Sequence, residues 1–251
     1  MCIGENLIYL PICQSTNTHL AELAQQTDLP EGSTVYTFHQ TAGRGQRGSR
    51  WESEPHANLT FSYLLFPEAL PLEQMFALSM ATALGVYDFL KGSLPEADIS
   101  IKYPNDLYVG KQKIAGILIE NALKGTHIEK SIVGIGLNIN QIQFENPRAT
   151  SLRLSATGLG RQGQYSLETC LREILLCLDK RYEILKLKKY FEIKVDFLAK
   201  NFQINELCTY YTSEGEVSGK IIDIDLAGKL YLETDKGIKP YYFKEIAFFM
   251  P

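Results

Sequence analysis

The sequence predicts an α+β fold followed by a small β-barrel-like domain, and three observations carry that prediction. Short stretches in which apolar and polar residues alternate recur between Leu7 and Asn140, as half-buried strands do. Two stretches with helical spacing, 71–90 and 166–182, carry apolar faces long enough to cover such strands. Beyond about Asn201 the texture changes to four short alternating segments separated by Gly215, Gly228 and Gly237. Two domains are expected, 1–204 and 205–251.

In chain order, Leu7-Ile8-Tyr9-Leu10 reads as a short strand stopped by Pro11. Ser15, Thr16 and Asn17 then open a short helix with Leu20, Leu23 and Ala24 on its apolar face. Spacing alone favours a capping role for these three polar residues, and hydrogen bonding to a ligand is the alternative. Residues 33–40 form a strand that delivers Gln40 to a glycine-rich loop, and 59–66 form the next strand. A helix is expected from Pro71 through Leu90, with Pro in its first turn. Residues 99–103 form a strand ending at the turn Pro104-Asn105-Asp106. Residues 107–109 and 114–120 form a hairpin closed near Gly110, with Lys113 at the mouth of its second strand. Gly116 inside that strand marks close approach of a ligand or another backbone, and 132–140 repeats the pattern with Gly134 and Gly136. Residues 141–164 read as irregular. Ser166 caps a long amphipathic helix on which Cys170 and Cys177 share the core face, and a further helical stretch runs to about Asn201.

A net charge of -4 and a pI near 5.7 argue against a protein that coats nucleic acid, and specific DNA binding is not expected. No apolar run is long enough to span a bilayer, and Met1 to Glu5 lacks the basic start of a secretory signal. A cytoplasmic protein with no membrane partner is expected. The cysteines Cys2, Cys13, Cys170, Cys177 and Cys208 contain no Cys-x-x-Cys pair, which suits a reducing compartment. His19, His39, His56 and His127 show no metal-ligand spacing, so no protein metal site is expected.

The stretch Gly43-Arg44-Gly45-Gln46-Arg47-Gly48-Ser49-Arg50-Trp51 combines backbone freedom, positive charge and a stacking ring, which is the chemistry of an anion held beside an aromatic group. It spells a dinucleotide-binding glycine pattern, but a strand follows it where that motif requires a helix. A Walker A loop requires lysine after the last glycine, and Ser49 stands there.

With this loop, Ser15-Thr16-Asn17, Gln40, Lys102-Tyr103-Pro104-Asn105-Asp106, Lys113-Ile114-Ala115-Gly116-Ile117-Leu118 and Gly134-Ile135-Gly136-Leu137-Asn138-Ile139-Asn140 occur in one order. In that order the chain resembles the biotin protein ligases over nearly its whole length. The resemblance implies a mixed β-sheet with helices on one face, related to class II aminoacyl-tRNA synthetases and lipoyl ligases. The ligase motifs begin by Ser15, so the short form without a DNA-binding module is expected. Biotin would be held by Ser15, Thr16, Asn17, Gln40, Gly43, Arg44, Gly45, Gln46, Lys113 and Gly116. Trp51 would stack on adenine, with Lys102, Asn105 and Asn138 bordering the nucleotide. Two departures from the family pattern are Tyr103, where Trp is usual, and Gln46, where Arg is common; Arg47 is expected to restore the charge missing at Gln46.

The implied chemistry uses ATP and biotin as substrates, with Mg²⁺ held mainly through phosphates. Biotin carboxylate and the α-phosphate of ATP repel until cations reduce the charge between them, a role assigned to Lys113, Arg44 and Arg47. A lysine of a biotin carrier protein then takes the biotinyl group from biotinyl-5′-AMP. The oligomeric state is left open, a homodimer included. The competing readings are a lipoyl or octanoyl ligase on the same scaffold and a non-catalytic nucleotide- or RNA-binding regulator; for Lys113 the alternative is a solvated hairpin lysine.

Overall fold

Seven strands pair into one sheet: β1 (Leu7–Tyr9), β2 (Thr34–Thr37), β3 (Leu59–Leu65), β4 (Ile99–Lys102), β5 (Asp106–Val109), β6 (Gln112–Lys124) and β7 (His127–Leu137). The computed structural model describes residues 3–125, 127–213 and 215–249, the Arg47 side chain excepted. The strand order is β1-β2-β3-β7-β6-β5-β4; β1 and β2 are parallel and all other neighbours antiparallel, so the sheet is mixed.

The inner strand β3 is buried along its whole length because both of its faces are covered. Leu59, Phe61, Tyr63 and Leu65 point into the main core, beneath α2 (Phe76–Ser93), while Leu64 joins Val35, Ile132 and Leu20 in a separate cluster beneath α1 (Thr16–Gln26). α1 therefore lies on the opposite face of the sheet from α2, which corrects the expectation of helices on one face. The helix α2 is apolar on nearly every side because it is enclosed between the sheet and α4 (Leu167–Lys186). Arg181 of α4 locks this layer: its guanidinium contacts Asp88 of α2 at 2.5 and 2.9 Å and Asp196 of α5 (Tyr190–Ala199) at 2.6 Å.

Several boundaries differ from the sequence reading. The helix expected from Pro71 begins at Phe76, after a 3₁₀ turn at Leu72–Gln74, because Pro71 is extended and the Phe76 N–H is drawn to Leu226 O of the C-terminal segment. Within the stretch read as irregular lies α3 (Leu152–Gly158), whose cap Ser151 accepts a hydrogen bond from Leu154 N. β7 starts at His127 and stops at Leu137, before Asn138. Cys170 is buried, but Cys177 is only half-buried.

The C-terminal segment forms a second, antiparallel sheet of β8 (Leu207–Thr212), β9 (Gly215–Ile224), β10 (Leu230–Thr234), β11 (Gly237–Tyr241) and β12 (Ile246–Phe248), ordered β11-β10-β9-β8-β12. The three-residue β12 is one strand more than the sequence pattern showed. Among the described residues no ladder joins the edges β11 and β12, so the barrel-like unit is an open sheet. It shares the main core through Ile221, Ile224, Leu230 and Leu232, and the Tyr103 hydroxyl donates to Gly228 O at 2.7 Å.

Candidate active site

Register places the site on the α1 face of the sheet. Thr60 pairs with Gly136, Ser62 with Gly134, and Gly116 with Gly136, so three glycines of β6 and β7 lie side by side as a floor without side chains. The floor is occupied from above. A Cβ at Gly134 would overlap the Asn17 amide, and one at Gly136 would overlap the Trp51 indole, which is the close approach that strand glycines permit.

Trp51 reaches this floor because the glycine-arginine loop folds back on itself. Gly45 N–H donates to Ser49 O at 2.7 Å and Trp51 N–H to Gly43 O at 3.0 Å, around a 3₁₀ turn at Gln46–Gly48. Gly48 has φ +79°, a conformation side chains resist. The stretch is thus a small hairpin whose end lays the indole on the sheet. Trp51 Nε1 is buried without a hydrogen-bond partner.

A chain of hydrogen bonds walls one side. Thr16 N–H at the start of α1 donates to Gln40 Oε1 at 2.9 Å, so Gln40 caps the helix and the Ser15 side chain makes no capping bond. Ser62 Oγ lies 2.7 Å from Thr16 Oγ1 and donates to Asn17 Oδ1 at 2.6 Å. Asn17 Nδ2 donates to Leu118 O at 3.2 Å and to Glu120 Oε2 at 2.8 Å, and the same Glu120 oxygen receives Arg44 Nη2 at 2.7 Å. The chain from Gln40 to Arg44 thereby fixes the base of the loop and the orientation of the Asn17 amide. Glu120 was not legible as a site residue, because its role depends on two partners remote in sequence.

Two cavities meet at this wall. The first, of about 170 Å³, is lined by Ser15, Thr16, Asn17, Gln40, Arg44, Gly45, Gln46, Trp51, Asn105, Lys113 and Gly116, among others. The second, of about 600 Å³, is lined by Asn138, Gln141, Gln143, Phe144, Glu145 and Asn146, and shares Gln40, Arg50, Trp51 and Lys113 with the first. Lys113 Nζ stands at the junction, 2.7 Å from Asp106 Oδ1 and 5.6 Å from the centre of the Trp51 ring. Its side chain is 28% exposed, so it is held at the site and is not a freely solvated hairpin lysine. Asp106 and Arg50 are further charged residues that the sequence reading did not single out.

The expected nucleotide residues separate. Asn138 lines the second cavity, donates to Thr150 O at 2.9 Å, and leaves its buried Oδ1 without a partner. Asn105 lines the first cavity, with its amide donating to Ile117 O at 2.7 Å. Lys102 lines neither: its ammonium donates to the Tyr108 hydroxyl at 3.3 Å and lies 5.1 Å from the Tyr108 and Phe248 rings. Burial lowers the Lys102 pKa, a shift opposed by Asp106 and reinforced by Lys113 and Arg148, while burial pushes the Tyr108 hydroxyl up to about 12. Gly43 is buried against Gln40 and Trp51 rather than lining a cavity. The Arg47 side chain, expected to compensate for Gln46, lies outside the described residues. Among the described residues no three His, Cys, Asp or Glu side chains gather as a metal site would require, and no helix is long and apolar enough to cross a membrane.

This arrangement, a cation between two cavities beneath a glycine-arginine loop, defines a site in which two anionic substrates can meet. The chain belongs to the biotin/lipoate A/B protein ligase family, whose profile matches residues 9–138. It is 32% identical to the bifunctional ligase/repressor BirA of Bacillus subtilis over 248 residues, 97% of this chain and 74% of that protein. It is 35% identical to the biotin–[acetyl-CoA-carboxylase] ligase of Mycobacterium tuberculosis over 142 residues, 55% of this chain and 51% of that one. Among solved structures, the biotin protein ligase from Aquifex aeolicus in complex with biotin and ATP superimposes with a TM-score of 0.80 and 28% identity, covering 98% of this chain and 100% of that chain.

Proposed function

We propose that this chain is an ATP-dependent ligase that activates biotin as biotinyl-5′-AMP and transfers it to a lysine of a biotin carboxyl carrier domain. The observation that carries the reading is Lys113 at the junction of the two cavities. The first cavity suits biotin: Ser15, Thr16, Asn17 and Gln40 surround a polar head group, the glycine floor seats the Asn17 amide and the Trp51 indole that wall the cavity, and the lysine stands at the exit toward the second cavity. The second suits the nucleotide, with Trp51 and Asn138 on its wall; of the other two residues expected there, Asn105 lines the first cavity and Lys102 lines neither.

In the first step a biotin carboxylate oxygen attacks the α-phosphorus of ATP and pyrophosphate leaves. Lys113 lowers the repulsion between the two anions as they meet, and Arg44 and Arg47 bring further positive charge from the loop. Gly45, Gln46 and Gly116 line the first cavity and close on the biotin chain, while Gly43 lets the base of the loop pack against Gln40 and Trp51. Mg²⁺ bound with ATP would be held mainly by the phosphates and would supply positive charge that offsets theirs. In the second step the carrier lysine displaces AMP. We assign these steps to 1–204 and treat the C-terminal sheet, 205–251, as a second domain bordering the site. The free thiols Cys13, Cys170, Cys177 and Cys208 support a cytoplasmic setting.

The test is ATP–pyrophosphate exchange with purified protein. Exchange is expected with biotin and not with lipoate; exchange driven by lipoate alone would favour the lipoyl or octanoyl ligase, and none with either would favour the non-catalytic reading.

A further inference from the structure

A third cavity, of about 280 Å³, lies between α2, the Pro104 turn and the C-terminal sheet, and shares Gln46, Asn105 and Ile117 with the first cavity. Its far wall is aromatic: Phe76, Tyr103, Tyr242 and Phe243, with Met75 and Ser79 beside them. Among the described residues its lining contains no carboxylate, lysine or arginine. The C-terminal sheet builds it: Gly228, at φ +88°, packs its turn against Phe76 and accepts the Tyr103 hydroxyl at 2.7 Å.

We propose that this third cavity is the approach path for the acceptor lysine of the carrier domain. The proposal rests on the ligase reading given above. Biotin fills the first cavity and the nucleotide the second, so the amine must reach the activated carboxyl carbon from a third side. The third cavity adjoins the first along Gln46, Asn105 and Ile117 and offers that side. The lining also fits a lysine. Aromatic faces attract an ammonium at the entrance, and apolar walls accommodate its methylene stem. Desolvation further in favours the neutral amine, the form that attacks. There the nitrogen lone pair forms the C–N bond, the bond from the carboxyl carbon to the phosphate oxygen breaks, and AMP leaves with its electron pair. The amine proton passes to solvent through the cavity mouth.

The experiment separates the half-reactions in Ser79→Phe, which fills the cavity, and Tyr242→Ala, which removes one aromatic wall at a half-exposed position. For each variant, biotin-dependent ATP–pyrophosphate exchange is compared with transfer from preformed adenylate to a purified biotin carboxyl carrier domain, and to hydroxylamine, which is small enough to bypass the path. Transfer to the carrier is expected to fall about tenfold or more in Ser79→Phe and to show a raised carrier KM in Tyr242→Ala, a loss of about 1.4 kcal/mol per factor of ten. Exchange and hydroxylamine consumption should stay at the parent's level. Unchanged carrier transfer in both variants overturns the proposal, and so does a rise in the KM for ATP, which would assign the cavity to the nucleotide. If Ser79→Phe does not fold, Tyr242→Ala decides alone by the same measurements. Absence of biotin-dependent exchange in the parent would instead defeat the ligase reading itself.

Discussion

Replacing Gly136 by alanine sets the sheet against the indole that rests on it. The new Cβ would fall on Cε2, Nε1 and Cδ2 of Trp51. Gly136 is paired with Thr60 on one side and Gly116 on the other, so the strand cannot retreat. Trp51 ends a glycine-rich hairpin, so the loop yields first. Forcing a methyl into a filled space costs about 1–3 kcal/mol. If that strain displaces the loop, it appears as a weakening of the nucleotide site by roughly 5- to 150-fold, with little change in the unfolding midpoint. The chain has one tryptophan, so its fluorescence reports on this position alone. Gly136→Ala should shift the emission to longer wavelength and raise the KM for ATP in biotin-dependent exchange. Unshifted emission with unchanged exchange, or a lowered melting temperature with the indole still in place, would refute the reasoning.

Lys113→Ala should suppress adenylate formation far more than nucleotide binding, because its charge matters most when carboxylate meets phosphate; single-turnover adenylation close to the parent's rate would remove it from the mechanism. Glu120→Gln keeps the shape but not the charge that joins Asn17 to Arg44, so the KM for biotin should rise several-fold, with Glu120→Asp recovering part of the loss; titration calorimetry with biotin checks it. Arg47→Ala should raise the escape of biotinyl-AMP while Gln46→Arg changes it little, measured in a chase with unlabelled biotin; the reverse pattern would show that the charge at Gln46 was never replaced. Arg181→Met should cost about 2 kcal/mol, between the values for exposed and buried ion pairs, since the arginine is 17% exposed and its partners about a third. The Asp196 pKa is lowered: burial raises it, but hydrogen bonds from Lys200 and Arg181 and their charges outweigh burial. Its contribution is therefore present above the ordinary carboxylate range and lost as pH falls through the depressed value, so the gap between parent and Arg181→Met in denaturant melts should narrow under acid.

Local chemistry made much of the fold readable. A strand-like run marked β3, nearly all-apolar runs marked β6 and β7, Ser166 marked the start of α4, and the strand following Trp51 ruled out a dinucleotide-binding helix. Each of these depends on residues close in sequence, so the pattern survives without knowledge of the neighbours. The glycines at 116, 134 and 136 were readable as close-approach positions for the same reason, and so was Lys113 at the strand mouth. What approaches the glycines was not readable, since Asn17 and Trp51 arrive from α1 and from a separate hairpin. Short elements were missed: α3 has only seven residues, and β12 has three, held by its pairing with β8. Only the tertiary structure set α1 on the face opposite α2, separated Lys102 from both cavities, and gave Arg44 and Lys113 the counter-ions Glu120 and Asp106. The physical reason is that charge pairing and cavity shape depend on distance in space. The strand order β3-β7-β6-β5 brings residues that the chain keeps 76 positions apart, Arg44 and Glu120, within one hydrogen bond.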